Sequence, residues 1–253
     1  MFCKKNLNAV LFLFLSFVVA CSPPPKLVKT EKGAVQLNKE QKPDSSILAM
    51  INPYKAPLDA EMNDVLIISE AEAVKGDPES TLGNLVADIV LIKANEKYKL
   101  KYSEGVDFCL LNKGGLRTSL PKGEITVGKV FELMPFENEI VVLTLSGKKT
   151  QEMFDYIAYN KGMPFSGMKM GISDTAAVDM LINGKPFDIN KTYKIVTSDY
   201  LSAGGDKMRF FNNPIAIDTI KYLMRTAMID YMREENKKGK TLQPKLDGRI
   251  YFK

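Results

Sequence analysis

The sequence predicts an α/β, or α+β layered, domain. Three observations carry that expectation. Apolar runs of strand length alternate with apolar stripes at helical spacing, the turn-forming pair Asn183-Gly184 falls late between two short runs, and about 200 residues remain after an N-terminal tether, enough for one sizeable core.

The N-terminus comes first. Lys4 and Lys5 precede an apolar run from Ala9 to Ala20 that is too short to span a bilayer, and Val18-Val19-Ala20 sets a small residue before Cys21. Residues 1–20 therefore read as a signal peptide. The cysteine that follows resembles the lipobox of bacterial lipoproteins, which implies acylation of the Cys21 thiol and a membrane-anchored place in the bacterial cell envelope. An ordinary secretory peptide with an incidental cysteine is the alternative. Residues 21–43, with Pro23-Pro24-Pro25 and scattered charges but no sustained apolar period, read as a flexible tether, and 44–253 as the domain.

Charge and cysteines exclude several classes. Loss of Lys4 and Lys5 takes the formal charge from +5 to +3, too mild to argue for nucleic acid. The basic run Asn236-Lys237-Lys238-Gly239-Lys240 fits the solvated end of a helix. Cys3 leaves with the signal peptide and Cys21 is the anchor, so Cys109 stands alone. It lies in the apolar stretch Val106 to Leu111 and reads as a small core residue, because the chain has no histidine to activate a thiol.

Within the domain, Val65 to Ile68 is the first strand. Asp77-Pro78-Glu79 is expected to open a helix with an acidic cap and proline at its first position, after which Leu82, Leu85, Val86, Ile89 and Val90 share a face. Strands are expected at Val106 to Leu111 and Ile140 to Leu145. A helix from Gly147 to Asn160 carries Met153, Phe154, Ile157 and Ala158 inward. Strands follow at Gly167 to Ile172, Val178 to Ile182 and Tyr193 to Thr197, with Asn183-Gly184 as a hairpin turn. Ile217 to Asn236 reads as one helix with Ile220, Met224, Ala227, Met228 and Tyr231 on its apolar side, and Ile250 to Phe252 as a last strand.

Two glycine-rich polar elements each follow a strand: Asn112-Lys113-Gly114-Gly115-Leu116-Arg117 and Tyr200-Leu201-Ser202-Ala203-Gly204-Gly205-Asp206. Adjacent glycines let backbone approach a ligand or turn with positive φ, while Asn112, Arg117 and Asp206 offer an amide, a guanidinium fork and a hydroxyl-accepting carboxylate. Between them Leu133-Met134-Pro135-Phe136 brings an aromatic ring. With Leu82-Gly83-Asn84-Leu85-Val86-Ala87-Asp88 before and Gly248-Arg249-Ile250 at the end, the order resembles the C-terminal substrate-binding domain of bacterial and animal 5′-nucleotidases, from about Leu58 to the C-terminus.

The resemblance implies mixed sheets sandwiched with outer helices. It also implies a purine held between Phe136 and Tyr200, ribose hydroxyls on Asp206, and Asn112 and Arg117 at ribose, phosphate or base edge, with Gly114, Gly115, Gly204 and Gly205 forming the loop backbone. Tyrosine in place of the commoner phenylalanine keeps the stacking surface, its hydroxyl taking no part. Taken singly, either ring could be core, Asp206 could cap its own turn, and Asn112 and Arg117 could lock a loop. Asn84 and Asp88 read as structural.

Two departures from the family pattern bear on activity. Lys75 stands where phosphate-handling members carry an arginine, which leaves nucleoside recognition better supported than tight phosphate recognition. Complete 5′-nucleotidases carry an N-terminal metallophosphoesterase domain whose two metals are bound by Asp, Asn and several His. Here histidine is absent and only the tether precedes the resemblance. The expectation is a chain with no cofactor of its own, recognising a purine nucleoside or nucleotide for a separate metallophosphoesterase chain that carries the divalent metals. A stand-alone nucleoside-binding lipoprotein is the alternative.

Overall fold

The computed structural model describes residues 26–34, 36, 38 and 41–253, so Cys21 and the signal peptide lie outside the described residues. The chain divides into two compact units, Met1–Met50 and Ile51–Lys253. In the first, the described residues are exposed and irregular up to Asp44, whose carboxylate accepts from the Ser46 and Ile47 amides and starts helix α1, Ser45–Met62. This helix contains Pro53 and Pro57 and buries no side chain. Among the described residues no helix is long and apolar enough to cross a membrane.

The second unit is layered around a five-stranded mixed sheet. Its strands are β2 (Phe108–Leu110), β4 (Glu139–Ser146), β5 (Phe165–Ser166), β9 (Thr192–Ser198) and β10 (Ala216–Leu223), in the order β10-β4-β9-β2-β5. Alternation along these strands sends side chains to opposite faces, and here both faces are buried. Cys109, Leu111, Ile140, Val142 and Val196 join one core cluster with helices α2 (Thr81–Tyr102) and α6 (Met224–Lys237). Phe108, Leu110, Val141, Leu143 and Ile195 join the other, with α4 (Gly147–Tyr159) and a four-stranded sheet. That sheet runs β11-β6-β7-β8, from β6 (Met168–Ser173), β7 (Ala176–Ile182), β8 (Lys185–Pro186) and β11 (Ile250–Phe252). A small pair, β1 (Val65–Ser69) with β3 (Gly123–Thr126), and the short helices α3 (Val127–Leu133) and α5 (Asp199–Ser202) complete it.

The strands expected from the sequence are found within a few residues of their predicted ends. The β7–β8 hairpin turns on Asn183 and Gly184, both at positive φ (49° and 74°), as a two-residue loop matched to strand twist requires. Cys109 is fully buried, and burial, then the charge of Asp88, pushes its thiol pKa up.

Two helix expectations change. The α2 helix starts at Thr81 with Ser80 as its cap, the Ser80 hydroxyl accepting from the Gly83 amide at 2.9 Å, so Asp77 and Pro78 precede the helix. The segment expected as one helix from Ile217 to Asn236 is strand β10 followed by α6. Asp218, Ile220 and Tyr222 alternate inward with period two, and Asp218 is held by the Tyr98 and Tyr102 hydroxyls at 2.9 and 2.8 Å. Pairing with β4 along Ala216 to Thr219 overrides the helical reading.

Candidate functional site

Topology gathers the site at one end of the five-stranded sheet. Strands β2 and β9 are adjacent and parallel, Phe108 opposite Ile195 and Cys109 opposite Val196, so the chain leaves both in the same direction. Asn112 to Arg117 follows the first and Tyr200 to Asp206 the second. Strand β4 is antiparallel to β9, with Ile140 opposite Ser198, so Phe136 to Asn138 enters β4 at that same end. Just below the loops, the buried Thr197 hydroxyl donates to the Leu110 carbonyl at 2.9 Å, tying the two parallel strands together. Crevices outside the carboxyl ends of parallel strands are where α/β sheets bind ligands.

A cavity of about 340 Å³ lies there. Asn112, Gly114, Gly115, Arg117, Phe136, Tyr200 and Asp206 line it, together with Asn138. Gly204 and Gly205 do not; they shape the loop behind it. Gly204 turns at φ 88°, whereas Gly205 lies against Tyr200, where a Cβ would fall 2.5 Å from Cε1 of the ring. Phe136 and Tyr200 are 41% and 49% exposed, which rules out a core role for either ring. Neither packs on another aromatic ring among the described residues, and the Arg117 guanidinium stands 5.9 Å from the Phe136 centroid while donating to the Gly114 carbonyl at 3.3 Å.

Asp206 is held from three sides. Asn112 Nδ2 donates to Oδ2 at 2.6 Å, the Tyr200 hydroxyl donates to Oδ1 at 2.9 Å, and the Tyr156 hydroxyl donates to the main-chain carbonyl at 2.8 Å. Burial, then the charge of Asp206, raises the Tyr156 pKa and keeps that phenol a donor. The Tyr200 hydroxyl is thus engaged within the chain, while its ring lines the cavity.

Asn138 was not foreseen. It stands two residues beyond Phe136, the spacing that returns a side chain to the same side of an extended segment, and its side-chain amide makes no hydrogen bond within the described chain. Lys75 lines a separate cleft of about 330 Å³ with Lys113, Asp77 and Ser80 at the start of α2, where Lys113 is paired to Asp77. Asn84 and Asp88 are structural: Asn84 donates to Glu79 and to the Lys245 carbonyl, and Asp88 receives a two-pronged contact from Arg249 at 2.7 and 2.9 Å. A larger cleft of about 600 Å³ lies between α2 and α6. Its charged groups are committed, Asp88 to Arg249 and Lys240 to Glu235, so the smaller cavity is the better candidate.

The donor set does not fit a two-metal centre. Histidine is absent from the sequence, and among the described residues no three His, Cys, Asp or Glu side chains are grouped to hold a metal ion.

Layered mixed sheets with a loop-built cavity at this end define an α+β domain that presents a polar and aromatic pocket. The chain belongs to the family described as 5′-nucleotidase, C-terminal domain, whose model matches residues 61–213. It is similar to the trifunctional nucleotide phosphoesterase protein YfkN of Bacillus subtilis, 28% identical over 87% of this chain and 17% of that protein. Protein UshA of Yersinia enterocolitica is 29% identical over 74% of this chain and 33% of its own length. Among solved structures, a 5′-nucleotidase precursor from Thermus thermophilus aligns with a TM-score of 0.69 at 25% identity, covering 83% of this chain and 44% of that one. The chain spans from 17% to 31% of the length of the first curated relatives it matches.

Proposed function

We propose that this chain is the nucleoside- or nucleotide-recognising half of a split 5′-nucleotidase acting in nucleotide catabolism, with phosphate-ester hydrolysis performed by a separate metallophosphoesterase chain that carries the divalent metals. The observation that carries this reading is the cavity walled by two half-exposed rings, Phe136 and Tyr200, beside the fixed carboxylate of Asp206. A purine stacks between the rings, since stacking needs only flat π surfaces. Asp206 receives the ribose hydroxyls, Asn138 and Asn112 reach the base or sugar edge, and the fork of Arg117 meets a phosphate or base edge. Acylated Cys21 holds the domain at the envelope membrane.

Lys75 favours a second reading. It offers a point charge in a different cleft, without the bidentate geometry of arginine, so a nucleoside-binding lipoprotein with no hydrolytic partner is the alternative.

The test is capture of the full chain from detergent-solubilised envelope, followed by a phosphatase assay on AMP. Metal-dependent AMP hydrolysis is expected in the captured complex and none from the chain alone with Mn²⁺, Co²⁺ or Zn²⁺. Turnover that purifies with this chain alone and vanishes when its own acids are mutated would overturn the split-enzyme reading. Tight adenosine binding with no phosphatase recovered would favour the alternative.

A further inference from the structure

Asp206 sits at φ 52° and ψ 25°, in the left-handed region that side chains rarely occupy, on an exposed loop. A carboxylate in such a place ordinarily samples several rotamers. Here donors from the loop after β2, from α4 and from α5 fix its side chain and its main chain together. The bond from α5 comes from Tyr200, whose ring already forms one wall of the cavity. Gly205 sets where that ring can stand, because nothing but hydrogen on its α-carbon leaves room for Tyr200 Cε1 and Cζ.

The consequence lies in the acceptor count. Each carboxylate oxygen can accept two hydrogen bonds. Asn112 takes one position on Oδ2 and Tyr200 one on Oδ1, which leaves one on each oxygen of a group that lines the cavity. One open acceptor on each of two adjacent oxygens is the complement of two neighbouring hydroxyls. The bond removes freedom of the carboxylate that a ligand would otherwise have to freeze.

We propose that Tyr200 is a positioning residue as well as a stacking wall: its hydroxyl presets Asp206 to receive a vicinal diol, so the site selects ribonucleosides over free bases and 2′-deoxynucleosides. This inference rests on the reading that the cavity takes a purine nucleoside.

The experiment is calorimetric titration of the full chain with adenine, adenosine and 2′-deoxyadenosine, for wild type, Tyr200→Phe, Asp206→Asn and the pair, with thermal melts alongside. The expected result for Tyr200→Phe is a fall of about 3- to 10-fold in the adenosine-to-adenine affinity ratio, an unchanged melt, and a smaller loss for 2′-deoxyadenosine. In the Asp206→Asn background the same substitution should change the ratio no further. An unchanged ratio in Tyr200→Phe, or an equal fall with and without Asp206, overturns the positioning role and leaves the nucleoside reading standing. Wild-type protein that binds neither adenosine nor adenine overturns both.

Discussion

Replacing Gly205 by alanine adds one methyl group at the back of the cavity, and its effect can be worked out from distances. The new Cβ would lie 2.5 Å from Tyr200 Cε1, 2.6 Å from Cζ and 2.7 Å from the Tyr200 carbonyl oxygen. Gly205 is not at positive φ, so alanine suffers no conformational penalty of its own and the effect is steric. Carbon atoms rest about 3.5–4.0 Å apart, so the ring must retreat by about 1 Å. The 2.9 Å bond from the Tyr200 hydroxyl to Asp206 then exceeds hydrogen-bonding range. Overpacking costs about 1–3 kcal/mol in a core; the ring contacts fall at the lower end because Tyr200 is half exposed and can swing toward water, whereas the contact with the Tyr200 carbonyl adds a local backbone shift. Loss of one stacking wall costs about 1–3 kcal/mol of binding, or roughly 5- to 160-fold in Kd. Calorimetry with adenosine measures this in Gly205→Ala, Tyr200→Ala and the double variant. Gly205→Ala should weaken binding clearly more when the ring is present than when it is absent, the backbone contact alone acting in the second case. Wild-type affinity in Gly205→Ala, or the same loss in both backgrounds, would refute the argument that this glycine exists to seat the ring.

Three further outcomes are expected. Phe136→Ala should weaken adenosine binding by about 1–3 kcal/mol while the melting temperature stays within a few degrees of wild type, since the ring is 41% exposed; an early melt would mark it as structural. Arg249→Met strips contacts from Asp88, Asp247 and the Phe165 carbonyl; the acids are partly exposed, so the cost is about 2–3 kcal/mol and a drop of roughly 4–12 °C in Tm, measurable by circular dichroism. Hydrogen bonding to Arg249 holds Asp247 below the usual carboxylate range, so the wild-type advantage should be full above about pH 4 and shrink as pH falls through that lowered pKa. Cys21→Ser should abolish lipid labelling and detergent-phase partition, and unchanged labelling in that variant would sink the anchor.

The parts legible in the sequence were those with a local physical signature. Strand β9 is rich in β-branched residues and bounded by polar ones, Asn183-Gly184 carries its own turn geometry, and the glycine-rich loops announce themselves by composition. Seven of the nine expected cavity residues therefore meet in one place. What failed lacks such a signature. Ile217 to Leu223 fits either period on its own, and only its partner β4 decides for strand. Ser80 outcompetes Asp77 as the α2 cap because its hydroxyl reaches the Gly83 amide. Helix α1 has two prolines in its interior and no buried stripe, so no periodicity marked it. The Tyr200–Asp206 bond joins side chains within one loop whose left-handed turn at Gly204 and Asp206 could not be read from residue types alone.

The parallel pairing of β2 with β9 has a consequence for how fast this pocket works. The roots of both loops belong to strands buried on either face and stapled by Thr197, the kind of packing that resists local opening. Breathing is left to the tips, where the half-exposed Phe136 can change rotamer on picosecond-to-nanosecond timescales while Tyr200 is held by its bond to Asp206. Under the proposed reading, a flat ring system would enter past Phe136 without any larger opening. Under that reading, residence time would be set at the tips and at Asp206, while the floor beneath them stays fixed.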